Sequence, residues 1–217
     1  MKKREKIITS SGTYNVGYVV NAAGLYADKI AREFGFSEKY KILPFKGLYL
    51  YSDEPRGSVK TNIYPVPDLQ NPFLGVHVTV TAEGLAKIGP TAIPAFWREQ
   101  YSGMENFRVG EFLDLTLRQM SLLGCSSFDF KKLAFQEMRK YSRRHLVSLS
   151  SSLMEGVELR HFKTWGKPGL RAQLVDVREK RLEMDFVLEG DDRSIYAYFK
   201  CRLPWIYLRP PFFTIRF

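Results

Sequence analysis

The spacing of apolar residues changes several times along the 217-residue chain. Residues 13–24, "TYNVGYVVNAAG", are rich in β-branched and aromatic side chains and end in small ones, which predicts a buried strand running into a tight turn. In the following "LYADKIAREFG", Leu25, Ile30, Ala31 and Phe34 fall on one helical face, Asp28 stands in the first turn, and Gly35 is placed as a C-terminal stop. Strand, small-residue turn and helix make half of a doubly wound α/β unit. From about residue 40 the runs shorten: "KILPFKGLYLYS", "IYPVPD" and "LGVHVTVTAEGLAKIGP" are strand-like pieces separated by Pro, Gly and Asp, the texture of an antiparallel sheet. Helical periodicity returns in "GEFLDLTLRQMSLLG" and "DFKKLAFQEMRKYSRRHLVSLSSSLM", which are expected to cover one face of that sheet. "LRAQLVDVREKRLEMDFVLEG" then predicts two strands joined by a charged turn. The fold class expected is mixed, α+β with an α/β portion, without internal repeats or low-complexity linkers.

Composition narrows this little. A 45% hydrophobic content suffices for a packed core, and no apolar run reaches the length of a bilayer span. The basic start "MKKREK" leads into "IITSSGTYN" rather than an apolar signal core, so the expected location is cytoplasmic, with peripheral membrane association as the variant. Cys125 and Cys201 have no metal-ligand spacing and are read as plain thiols. The net charge of +10 invites a nucleic-acid reading, but +3 of it lies in the first six residues and +4 in the last 22. The internal basic cluster, "RKYSRRH" at 139–145, is more simply a solvated helical face, and no nucleic-acid partner is expected.

Three stretches taken together, "VVNAAGLYADKIAREFG" with "PFKGLYLY", "NIYPVPDLQNPFLGVHVTVTAEGLAKIGPTAIPAFWREQY", and "GLRAQLVDVREKRLEMDFVLEG", resemble the FAD-dependent L-2-hydroxyglutarate oxidases and dehydrogenases of the glycine oxidase and D-amino-acid oxidase superfamily. The resemblance covers most of residues 10–195 and rests on the order "YPVPD", "PFLGVH", "GP". It implies an FAD-binding domain interrupted by a substrate domain: 1–38 in the first, 39–168 in the second, 169–195 returning to the first. Asn21, Ala22, Ala23 and Gly24 would then form the strand-to-helix turn whose small side chains let backbone approach FAD. Gly47, Gly89, Pro90 and Ala172 would also lie near the cofactor. His77 would take the hydroxyl proton of the substrate, Lys46 would hold a substrate carboxylate, and Arg171 would pair with substrate or flavin. The family commonly has arginine at the position of Lys46, and another three residues after the histidine, where this chain has Val80. A lysine lacks the bidentate fork of arginine. His145 and His161 are given no role, and no metal is expected.

Two features depart from the resemblance. The sequence contains no pair of glycines separated by a single residue, so the G-x-G-x-x-G fingerprint is absent, and the chain corresponds to the family's C-terminal half. A truncated enzyme is the expectation, with weak or no flavin binding and no turnover unless a complementary N-terminal polypeptide supplies the rest. An amine or amino-acid oxidase of the same superfamily, or a non-catalytic fragment serving as an interaction domain, are the alternatives. The second departure is residues 196–217, with eight aromatics, three prolines, four basic residues and no acid, where the family has a motif like N-A-x-S-P. Shifting the reading frame of Phe199–Tyr207 by one nucleotide permits Leu-Asn-Ala-Val-Ser-Pro-Gly-Phe. An out-of-frame tail is therefore expected, against the competing reading of an aromatic and basic membrane anchor.

Overall fold

The computed structural model describes residues 5–67, 73, 75–125, 130–192 and 194–198. Eighteen short elements form four sheets with helices packed on them. An antiparallel hairpin, β1 (Glu5–Thr9) and β2 (Gly12–Val16), comes first. The predicted single strand over 13–24 is in fact two: β2 ends before Gly17 and its residues are mostly exposed, and β3 (Val19–Asn21) joins another sheet. Gly17 and Tyr18 interrupt the run, so only the second piece reaches the turn.

That turn is a short 3-10 helix, Gly24–Tyr26, leading into α1 (Ala27–Glu33). Gly35, at φ +83, ends the helix as expected. The buried face of α1 is Ala27, Asp28 and Ala31, whereas Ile30 is 38% exposed, which corrects the expected apolar face. A charged residue has taken the inward position, and an ion pair satisfies it. Asp28 receives both guanidinium nitrogens of Arg98, at 2.8 and 3.0 Å, as well as Arg32 at 2.8 Å and the Ile42 backbone N–H at 3.2 Å. Arg98 also donates to the Leu25 carbonyl. Nearby, Tyr26 donates to Glu99 at 2.8 Å, and burial together with this carboxylate pushes the phenol up to about 12. These contacts fasten α1 and the turn before it to residues 98–99.

The central sheet is antiparallel, in the order β11 (Arg181–Leu182), β10 (Gly169–Asp176), β4 (Tyr40–Gly47), β8 (Ile93–Pro94). β4 and β10 pair along their whole length, Gly47 opposite Gly169 and Tyr40 opposite Asp176. Strand alternation sends Ile42, Leu174 and Ala172 to one face, where they meet Ala27 and Ala31 of α1. The other face carries Leu43, Phe45 and Val175 against Leu115 and Leu122 of α2 (Val109–Cys125) and Phe130 and Leu133 of α3 (Phe130–Arg139).

A second antiparallel sheet runs β6 (His77–Val80), β7 (Ala86–Gly89), β5 (Leu50–Ser52), β9 (Phe162–Trp165). Val78, Ile88, Leu50 and Phe162 bury one of its faces against Leu146 and Val147 of α4 (Arg143–Ser151). The helical stretches form as predicted but cover two sheets rather than one, α2 and α3 on the first and α4 on the second, and the long second helix breaks at residues 140–142 into α3 and α4. The basic cluster straddles this break, and its Lys140 is buried on Glu137 rather than solvated. Finally, β12 (Val187–Gly190), β13 (Ser194–Tyr198) and β3 form a three-stranded sheet in which β13 and β3 are parallel. The backbone of Tyr196–Tyr198 therefore continues a strand, and Tyr196 pairs with Asn21. The remainder of the proposed out-of-frame tail, residues 199–217 with Cys201, lies outside the described residues.

Candidate functional site

Asn21 closes the end of β3. Its carboxamide donates to the Ala27 carbonyl at 2.8 Å and accepts the Ala23 backbone N–H at 3.2 Å, and the side chain is buried. Ala22, Ala23 and Gly24 that follow are exposed. Gly24 adopts φ +53, and a Cβ built there meets nothing within 4 Å, so the backbone on this side is open to a ligand. The Gly24–Tyr26 turn packs against both β4 and β10, which brings Asn21–Gly24 close to the ladder bearing Lys46, Gly47 and Ala172.

The loop after β4 ties this ladder to the second sheet. The Thr91 hydroxyl accepts the Leu48 N–H and donates to the Lys46 carbonyl, both at 3.1 Å, while the Thr91 N–H donates to the Leu48 carbonyl at 3.2 Å. A Cβ on Gly47 would stand 3.4 Å from the Pro90 ring. Gly89, at φ +148, lies so close that a Cβ would fall 2.6 Å from the Leu48 carbonyl oxygen and 2.9 Å from the Tyr49 ring. Gly89 in turn pairs with His77 across β6–β7. Lys46, Gly47, Gly89, Pro90 and His77 are thus joined through a single set of backbone contacts.

His77 is fully buried. Its Nδ1 lies 3.0 Å from the Gly75 carbonyl oxygen, an atom that can only accept, so Nδ1 carries the proton and Nε2 presents a lone pair. Among the described residues no hydrogen-bond partner meets Nε2. Burial holds the imidazole below its ordinary 6.5, outweighing the Gly75 hydrogen bond, with the Lys87 and Lys140 charges acting in the same direction as burial. The ring lies 4.6 Å from that of Tyr64 and 6.1 Å from that of Tyr49. Tyr64 is 43% exposed, so one ring against the buried histidine reaches solvent.

The two candidate cations do not converge. Lys46 alternates onto the face of the β4–β10 ladder that also carries Ala172, and burial lowers its ammonium pKa. Arg171 pairs with Phe45 and projects from the opposite face, where its guanidinium lies 5.3 Å from the Phe73 ring and bonds Gln173 at 3.3 Å. Of the histidines left without a role, His161 bonds Asp53 at 2.9 Å in an exposed cluster with Lys163. Sequence reading also passed over Tyr49, Tyr64, Thr79 and Lys87. Period-two alternation in "HVTV" places Thr79 with His77, but Lys87 joins them only through strand register, which spacing along the chain does not express.

A profile of the family described as "FAD dependent oxidoreductase", DAO, matches residues 2–180. The chain belongs to this family of FAD-dependent oxidoreductases. It is 36% identical over 181 residues to the mitochondrial L-2-hydroxyglutarate dehydrogenase of Bos taurus, covering 80% of this chain and 37% of that protein. It is 34% identical over 194 residues to the L-2-hydroxyglutarate dehydrogenase of Indibacter alkaliphilus, covering 88% and 47%. The chain therefore spans less than half the length of these relatives. Its fold is similar to that of glycine oxidase from Geobacillus kaustophilus, with a TM-score of 0.52 at 17% identity, covering 92% of this chain and 40% of that one. The resemblance drawn from the three motif stretches is borne out at the level of family and fold.

FAD is the cofactor this family implies, and the residues present suit part of it. The open turn at Ala22–Gly24 fits a ligand approached by backbone, while the sequence contains no glycine fingerprint to cradle a diphosphate. Among the described residues no helix is long and apolar enough to cross a membrane.

Proposed function

We propose that this chain forms the substrate side of an FAD-dependent oxidoreductase that converts a small 2-hydroxy acid, of the L-2-hydroxyglutarate kind, to a 2-oxo acid. The observation that carries this reading is the buried Nε2 of His77, which has no hydrogen-bond partner among the described residues. A neutral imidazole whose other nitrogen is fixed to a backbone carbonyl can accept a hydroxyl proton without reorganising. Bound flavin would supply the acceptor for the hydride from C2. His77 would take the hydroxyl proton at Nε2, and Lys46 would hold the adjacent carboxylate as a point charge. Ala22–Gly24, Gly47, Gly89, Pro90 and Ala172 would line the approach of the cofactor, with Asn21 holding the turn. Arg171, on the opposite face, would contribute by holding Phe73 and Gln173 rather than by touching the substrate.

The relatives' names support the substrate class, since those proteins are L-2-hydroxyglutarate dehydrogenases. The chain's share of their length leaves the whole activity as a proposal, and flavin affinity is expected to be weak because the fingerprint is missing. The test uses the full chain with excess FAD under anaerobic conditions. Loss of the visible flavin band with L-2-hydroxyglutarate, and not with its D enantiomer, is expected. Loss with glycine or D-amino acids instead would identify an amine or amino-acid oxidase. No loss with any of them would make the chain a non-catalytic fragment, or one that needs a separate N-terminal polypeptide.

A further inference from the structure

The face of the second sheet that carries His77 holds more than a base. Register places Thr79 opposite Lys87, His77 opposite Gly89, and Tyr51 opposite Lys87, so these side chains rise on one side, away from the core against α4. The Lys87 ammonium stands 4.4 Å from the Tyr49 ring centroid and 5.8 Å from that of Tyr51. Tyr51 is held there by close backbone approach, because a Cβ on Gly166 would fall 2.4 Å from its ring. Among the described residues Lys87 forms no ion pair, and burial depresses its ammonium. Thr79, directly opposite Lys87 and two residues beyond His77 on the same strand, has a buried hydroxyl with no partner among the described residues. The Glu83 carboxylate acts on Lys87 only at longer range. Two polar atoms without partners among the described residues, beside a cation with no carboxylate in direct contact, are costly unless something completes them.

We propose that Thr79 and Lys87 form the subsite for a second carboxylate, so that this protein selects dicarboxylic over monocarboxylic substrates. Cations rest on tyrosine faces without being neutralised by them, so the ammonium keeps its charge for an incoming anion. Two residues of strand rise and one inter-strand step separate His77 from Lys87, roughly 8 Å between Cα atoms. That span, shortened by the two side chains, suits a short dicarboxylate with its hydroxyl at Nε2 and its far carboxylate on Lys87 and Thr79. The cation is supplied from β7, so the subsite needs no arginine at position 80. The subsite rests on the reading of His77 as the substrate-facing base.

Binding to the full chain separates the two ideas without any turnover. Titrations with glutarate and with pentanoate, a monocarboxylate of the same length, are followed by the NMR signals of the His77 ring and by calorimetry. The wild type is expected to prefer glutarate by about tenfold or more, the scale of one charge-assisted hydrogen bond. Lys87→Met should remove that preference, and Lys87→Arg should retain part of it. Equal glutarate preference in wild type and Lys87→Met would overturn the subsite alone, as would a wild type that binds both acids equally. Failure of both acids to move the His77 signals would overturn the subsite and the placement of substrate at His77 together.

Discussion

Two residues show how much depends on what surrounds a polar group. His77 is held neutral by burial, with a folded-state pKa below the ordinary 6.5. The unfolded chain takes up the proton first as pH falls, so the associated stability is present above about 6.5 and is lost as pH drops toward the lower folded value. Urea unfolding at pH 7.5 and pH 5 should show a smaller loss of stability for His77→Gln than for the wild type. A neutral Nε2 is also what a base requires, so activity should fall on the acid side with a midpoint below 6.5. Asp28 presents the opposite case, a charge buried because Arg98, Arg32 and the Ile42 N–H satisfy it. Asp28→Asn leaves Arg98 buried without its counter-charge and should cost about 3–5 kcal/mol. Lys163→Ala, which removes one partner from the exposed Asp53 cluster, should cost no more than about 1 kcal/mol in the same denaturation measurement.

At the scale of elements, the β6–β7 pair and the loop after β4 make the site, and Gly89 is where they touch. Gly89→Ala should destabilise by about 1–3 kcal/mol because its Cβ meets the Leu48 carbonyl and the Tyr49 ring. Gly12→Ala, at a similar φ of +142 but with open space around it, should lose less, and thermal unfolding of the two variants isolates the contact. The same elements show what could be read from the sequence. Helix α1 and its stop at Gly35 were legible because local periodicity and a left-handed glycine are local properties. The strand-like pieces after residue 40 were legible for the same reason. Ile30 was misassigned because an apolar residue usually outranks an aspartate for an inward position, and only the distant Arg98 reverses that order. The break at Gly17–Tyr18 was missed because the apolar run continues across it. His77 and Lys46 could be singled out by motif resemblance, whereas Lys87 could not: its proximity to His77 is a product of hairpin register. Likewise, the separation of Lys46 from Arg171 follows from strand alternation once β4 and β10 are paired, and neither motif contains it.

Over the whole molecule, the β4–β10 ladder is the shared wall. One face binds α1 and the small-residue turn, the other binds α2 and α3, and the end of β4 leads directly to the sheet bearing His77. A cofactor approached by Ala22–Gly24 and a substrate held near His77 would therefore be positioned by one continuous piece of backbone. The proposed role of His77 is that of the base on a 2-hydroxy acid in front of flavin. Its most direct measurement is the anaerobic rate of flavin bleaching by L-2-hydroxyglutarate at pH 8, with saturating FAD, in wild type and His77→Asn. The predicted result is a rate lower by about 10²–10⁴-fold in the variant with flavin binding retained; equal rates in the two proteins would contradict it.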